Sequence, residues 1–166
     1  MTTTAFDAIT DGLDPPLLVV TTASDDRRAG CVVGFHSQCS IDPLRYTVWL
    51  SKANLTYRVA LFATHLALHV PVPGDDALVE LFGGTTGDDV DKFARCDWTA
   101  GPGGVPLLSQ CPNRMVLERS SLHDDGGDHV CFVGSVVLAE AADGPAPLRL
   151  SAAVDIDPGH EADEAG

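Results

Sequence analysis

Ser51, Lys52, Asn54 and Thr56 crowd together where the hydrophobic period of the chain changes. Residues 45–50, R-Y-T-V-W-L, read as a strand, and beyond Asn54 the apolar residues fall at Leu55, Val59, Phe62 and Ala63, which is helical spacing. Asn54 is then an N-cap, and the strand delivers Ser51 and Lys52 to the start of a helix. The unpaired N–H groups and positive dipole end of a first helical turn favour an anion such as phosphate. Lys52 would add a full charge, and the hydroxyls of Ser51 and Thr56 neutral donors. A capped helix whose polar flanks face water accounts for the same residues. The charge balance bears on the choice: ten basic against twenty-four acidic residues give a net charge of −14, and Lys52 is one of two lysines. Salt screens repulsion of an anion beyond roughly 8 Å, so local donors decide binding.

Other candidate groups are weaker. Gly127-Asp128-His129 precedes a long apolar run; by itself it reads as an aspartate closing a turn and a histidine opening a strand. His65 and His69 share a strand face, but no third ligand at a convincing spacing accompanies them, so a surface or groove pair is expected and no metal. His123 and His160 fall in expected loops. Cys31, Cys39, Cys96, Cys111 and Cys131 are odd in number and contain no C-x-x-C, which suggests neither a disulfide framework nor zinc; Cys31 and Cys131, inside apolar strands, are expected to be buried. The glycine-rich residues 83–88 lack the G-K-S/T ending of a phosphate loop and read as a mobile surface loop.

These groups need a frame. A chain of 166 residues with 45% apolar content suits one domain, expected over residues 1–152, followed by an acidic tail over 153–166 that is expected to be disordered past Val154. Residues 2–4 look like a loose end and 6–13 a short helix. Strands are expected at 17–22, 29–35, 45–50, 66–72, 114–119 and 129–138, with a charged turn at 24–28, polar loops at 37–40 and 120–127, and a second short helix at 75–82. Gly30 and Gly34 suggest either close backbone approach or barrel curvature. About six to eight strands with two or three short helices favour a closed or nearly closed antiparallel barrel: a mainly β fold. The acidity argues against nucleic acid and anionic membranes. With no apolar run long enough for a bilayer and no basic-then-apolar leader, a cytoplasmic protein is expected.

Taken in order, the apolar glycine-containing strand 29–35, the Ser-rich loop, Asp42-Pro43, the strand 45–50, S-K-x-N-x-T and the later G-D-H before an apolar strand resemble the flavin reductase-like family. The resemblance covers roughly residues 6–138. It implies a split β-barrel that binds FMN, with Ser51, Lys52, Asn54 and Thr56 on the phosphate. Main-chain donors of Ser37, Gln38, Cys39 and Ser40 would line the ring edge, with His36 at the start of that loop and the Cys39 thiol packed on the ring. Lys92 and Phe93, in a K-F segment like the family's, would lie near the flavin, although core or interface packing suits Phe93 as well.

By the same resemblance, Asp128 and His129 would bind the reductant, with His129 as the catalytic residue. The implied function is an NAD(P)H-dependent flavin reductase transferring hydride to FMN. A homodimer and delivery of reduced flavin to a partner monooxygenase are implied with it. The alternative is a binding module of the same barrel holding FMN, deazaflavin or haem without turning over NADH or NADPH. One departure stands out: residues 147–151, P-L-R-L-S, replace the aromatic-rich closing segment common in such reductases.

Overall fold

A computed structural model describes residues 2–157. β1 (Leu18–Ser24) and β2 (Arg27–Val33) form a hairpin whose turn is only Asp25 and Asp26, both at positive φ. The two arginines of the expected turn therefore belong to β2. Gly34 and Phe35 lead into β3 (His36–Ser40), and the turn containing Asp42-Pro43 leads into β4 (Arg45–Ser51). Further along the chain are β5 (His65–His69), β6 (Trp98–Ala100), β7 (Pro106–Leu108), β8 (Arg114–His123) and β9 (His129–Glu140). Seven strands make one antiparallel sheet in the order β2-β1-β5-β8-β9-β4-β3, while β6 and β7 pair separately.

β2 and β3 end the strand order on opposite sides yet are consecutive in the chain, so the sheet curls until its edges meet at the Gly34–Phe35 elbow. The Trp49 N–H donates to Phe35 O at 2.9 Å and fastens that elbow to β4. The result is a split barrel, as expected.

β1 shows why its sequence lacks polar alternation. Successive strand residues point to opposite faces. Leu18 and Val20 enter the barrel with Leu50, Leu66, Leu68 and Phe132, whereas Val19 faces an outer cluster with Leu78, Phe82, Phe93 and Leu108. α3 (Asp76–Gly83) supplies Leu78 and Phe82 to that cluster. Gly30 makes this packing possible: a Cβ there would stand 2.6 Å from the Phe82 ring.

Several expectations are corrected. Residues 2–4 are not a loose end but part of α1 (Thr2–Leu13), whose Phe6, Ile9 and Leu13 lie exposed at helical spacing. Ser37, Gln38, Cys39 and Ser40 form a strand rather than a loop, because pairing of their backbone with β4 outweighs their polar composition. β8 extends to His123, which is thus a strand residue, and shrinks the polar turn. The glycine-rich segment is tied down: Asp88 pairs with Arg27 and Arg58, and Gly87 packs on Leu55. Ile156 packs against Gly83 and Gly84; residues 158–166, which hold His160 and most of the expected acidic tail, lie outside the described residues.

Candidate functional site

α2 (Leu55–Ala60) begins where the period change placed it, with Asn54 Oδ1 accepting from the Thr56 N–H at 2.9 Å. Pairing of β4 with β9 sets Ser51 opposite His129, and the Lys52 N–H donates to Asp128 O at 2.9 Å. S-K-x-N-x-T and G-D-H, remote in sequence, thereby share one end of two neighbouring strands. A groove of about 320 Å³ opens there, at the seam of the barrel, between the Gly34–Phe35 elbow, Trp49 and Ser51 of β4, Asn54, and Asp128-His129.

The side chains on this groove, and Lys52 next to Ser51, are oriented by neighbours. His129 Nδ1–H donates to the Asp128 carboxylate at 2.8 Å, which leaves Nε2 as its other polar edge. That bond, first among the causes, holds the Asp128 carboxyl below the usual carboxylate range. The Phe35 ring lies 5.1 Å from the His129 ring at 60° and is otherwise exposed, an aromatic surface available to a flat ligand. Lys52 Nζ donates to Asp124 at 2.9 Å; the bond raises the lysine's pKa and lowers that of Asp124. An ammonium has three donors, so two remain beyond this pair.

Cys31, which lines the groove, and Thr56 are buried. Thr56 Oγ1 makes no hydrogen bond of good geometry, though it lies near enough to the Cys31 thiol to favour its ionised form. Burial dominates there and pushes the Cys31 pKa up, so that residue is a packed thiol rather than a nucleophile.

Other candidate residues are elsewhere. The His36 ring bridges Tyr46 Oη and Pro16 O, both at 2.7 Å. Ser37, Gln38 and Cys39 are exposed on β3. Gln38 borders a different, apolar groove of about 540 Å³ with Tyr46, Val70 and Met115. Lys92 is buried behind β2, its ammonium donating to Gly30 O at 3.0 Å and Phe82 O at 2.9 Å; desolvation lowers its pKa. This places it in structural use rather than on the groove, and Phe93 packs in the outer core with Phe82 and Trp98. Cys131 is half-buried, with Sγ 2.9 Å from Thr47 Oγ1.

His65 and His69 do not form a surface pair. His69 is fully buried, donating from Nδ1 to Val19 O and accepting at Nε2 from the Leu108 N–H, each at 3.0 Å. Among the described residues no group of three or more His, Cys, Asp or Glu could hold a metal ion. The sequence reading missed Phe35, Trp49 and Asp124. Phe35 follows a glycine at a strand end, but only the curl of the sheet aims it at this groove; Asp124 begins an acidic glycine turn, and only the fold brings it to Lys52.

A split antiparallel barrel with an aromatic and histidine-lined seam groove beside a capped helix start defines a cofactor-binding barrel. The chain belongs to the flavin reductase-like family: the model of the flavin reductase like domain matches residues 11–152. It is 33% identical over 151 residues to the FMN reductase (NADH) SmoA of Agrobacterium fabrum, covering 89% of this chain and 79% of that one. It is 30% identical over 146 residues to the high molecular weight rubredoxin of Moorella thermoacetica, covering 84% of this chain but only 59% of the relative. A crystal structure of an FMN-binding protein from Thermus thermophilus with bound 1-cyclohex-2-enone matches with a TM-score of 0.70 and 29% identity, covering 75% of this chain and 69% of that one.

Proposed function

We propose that this protein is an NAD(P)H:flavin oxidoreductase that holds FMN in the seam groove. The observation that carries the reading is the β4–β9 register, which sets Ser51 opposite His129 on one groove, while the next residue, Lys52, is bonded through its N–H to Asp128 O. The donor set suits an anionic flat cofactor. Ser51, Asn54 and the two further donors of Lys52 serve its phosphate, Phe35 offers an aromatic face, and the absent side chain of Gly34 lets Leu150 pack against the elbow. When bound, FMN supplies the redox chemistry, accepting hydride from NADH or NADPH and passing electrons onward.

The chain contributes position and charge. Asp128 fixes the imidazole of His129 by holding Nδ1–H, so Nε2 is presented to the reductant or to charge on the cofactor. Lys52, held by Asp124, stands ready at the phosphate end. We further propose a homodimer, supported by the exposed apolar row of α1, and delivery of reduced flavin to a partner monooxygenase. No helix among the described residues is long and apolar enough to cross a membrane.

The deciding experiment is a visible spectrum of the purified protein with FMN, followed by anaerobic addition of NADH and then NADPH. Perturbed flavin absorbance that bleaches with either nucleotide is expected. Bound flavin that neither nucleotide bleaches would make the protein a carrier instead.

A further inference from the structure

The seam groove does not end at Asn54. It adjoins a smaller compartment of about 180 Å³ that shares Cys31, Val32 and Asn54 with the first and has Phe82 and Gly83 of α3 on one side. Its other wall is the C-terminal segment, through Ala153 and Ile156. The same segment meets the main groove with Leu150, whose Cδ1 sits 3.1 Å from where a Cβ of Gly34 would be. Ile156 reaches the C-terminal end of α3 in the same manner, its Cγ2 standing 3.6 Å and 3.1 Å from the corresponding points of Gly83 and Gly84.

This segment is held by its beginning. The Leu17 N–H donates to Leu148 O and the Leu150 N–H to Pro15 O, at 2.8 and 2.9 Å. Ser151 donates from its backbone and its hydroxyl to the two carboxylate oxygens of Asp14 at 2.8 and 2.9 Å, and Arg149 donates to Asp14 O at 2.8 Å. Farther on, the backbone bonds are internal, Ala152 N–H to Arg149 O and Ile156 N–H to Ala153 O. The hold on α3 there is the apolar contact of Ile156. The segment is thus a strap with a polar latch at Asp14 and an apolar flap lying over one end of the groove.

We propose that residues 150–156 are a selectivity strap that favours FMN over FAD; the proposal rests on the flavin reading of the groove. FMN ends at a phosphate monoester, whereas FAD continues through a second phosphate to adenosine. With the first phosphate between Ser51 and Asn54, any continuation along the groove enters the small compartment. It meets Phe82, Ala153 and Ile156 there, with no cation among the compartment's lining residues. Asp155, Asp157, Asp76 and Glu80 surround the outer side of Ile156, so a second phosphate also faces repulsion of like charge.

The test is titration of the full-length protein with FMN and with FAD, followed by flavin fluorescence, for the parent chain, Ile156→Ala and Ser151→Ala. Circular dichroism verifies that each variant is folded. The parent is expected to bind FMN at least about tenfold more tightly than FAD, and Ile156→Ala to narrow that preference to about threefold or less by tightening FAD. Ser151→Ala, which removes one of the three bonds of the latch at Asp14, moves the preference in the same direction. Equal affinity of the parent for both flavins, or a preference unchanged in both variants, overturns the strap. Binding of neither flavin by the parent overturns the flavin reading itself, a separate outcome.

Discussion

Lys52 and His129 are the residues whose surroundings say most about their tasks. The Lys52 ammonium keeps Asp124 as one partner and is only partly exposed, so it is positioned before any ligand arrives. Lys52→Ala is expected to weaken FMN binding roughly tenfold, through loss of a charge-assisted contact, and to leave the absorbance of whatever flavin binds unchanged. Equal FMN affinity in a fluorescence titration would remove Lys52 from the site. His129 differs because its ring touches Phe35 and Asp128 rather than the helix start. His129→Ala is expected to slow reduction by NADH or NADPH at least about tenfold while FMN remains bound, the range in which a positioned acid or base group contributes. Stopped-flow bleaching at saturating flavin checks this, and unaltered rates would leave His129 a strand residue only.

At the scale of elements, His69 is the joint that ties β7 to the main sheet. It takes an N–H from Leu108 of β7 and gives one to Val19 of β1, so it must be neutral with the proton on Nδ1. Burial lowers its pKa to about 4 from the ordinary 6.5. The unfolded chain therefore takes up this proton first as pH falls. The stabilising contribution is complete above the unfolded pKa and is lost progressively down to the folded one. Unfolding free energy should drop by about 2 kcal/mol between pH 7 and pH 5 from this residue. Urea unfolding at the two pH values tests it against His69→Leu, which should be less stable at pH 7 but lose less on acidification.

These elements also show where local pattern is a reliable guide and where it is not. The α2 start was legible because an N-cap and a change from period 2 to period 3.6 are properties of adjacent residues. Residues 37–40 were misread because their polarity resembles a loop, whereas the deciding interaction is backbone pairing with β4. His69 was misread because sequence spacing gives the face of a strand but not whether β7 covers that face.

For the whole molecule, the exposed row of Phe6, Ile9 and Leu13 on α1, respectively 64%, 66% and 71% exposed, is more apolar surface than one helix ordinarily leaves to water. Sedimentation equilibrium is expected to give about twice the 17.4 kDa chain mass, and Ile9→Glu to shift the population toward monomer. A parent protein that sediments as one chain at micromolar concentration would exclude the homodimer.

Composition, the β-rich pattern and the local motifs were enough, by themselves, to indicate an antiparallel barrel with a capped helix start and to single out Ser51, Lys52 and Asn54, because those features are written in neighbouring residues and their periods; the split form of the barrel and a role for His129 came only with the resemblance of the ordered motifs to the flavin reductase-like family. The tertiary structure alone decided that Ser51 stands opposite His129, that Phe35 rather than residues 37–40 faces the groove, that Lys92 is buried on two carbonyls, and that the C-terminal strap roofs one end. Each of these depends on strand register and on the curl that brings the two edges of one sheet together, and contacts between residues far apart in the chain have no local signature from which to be read.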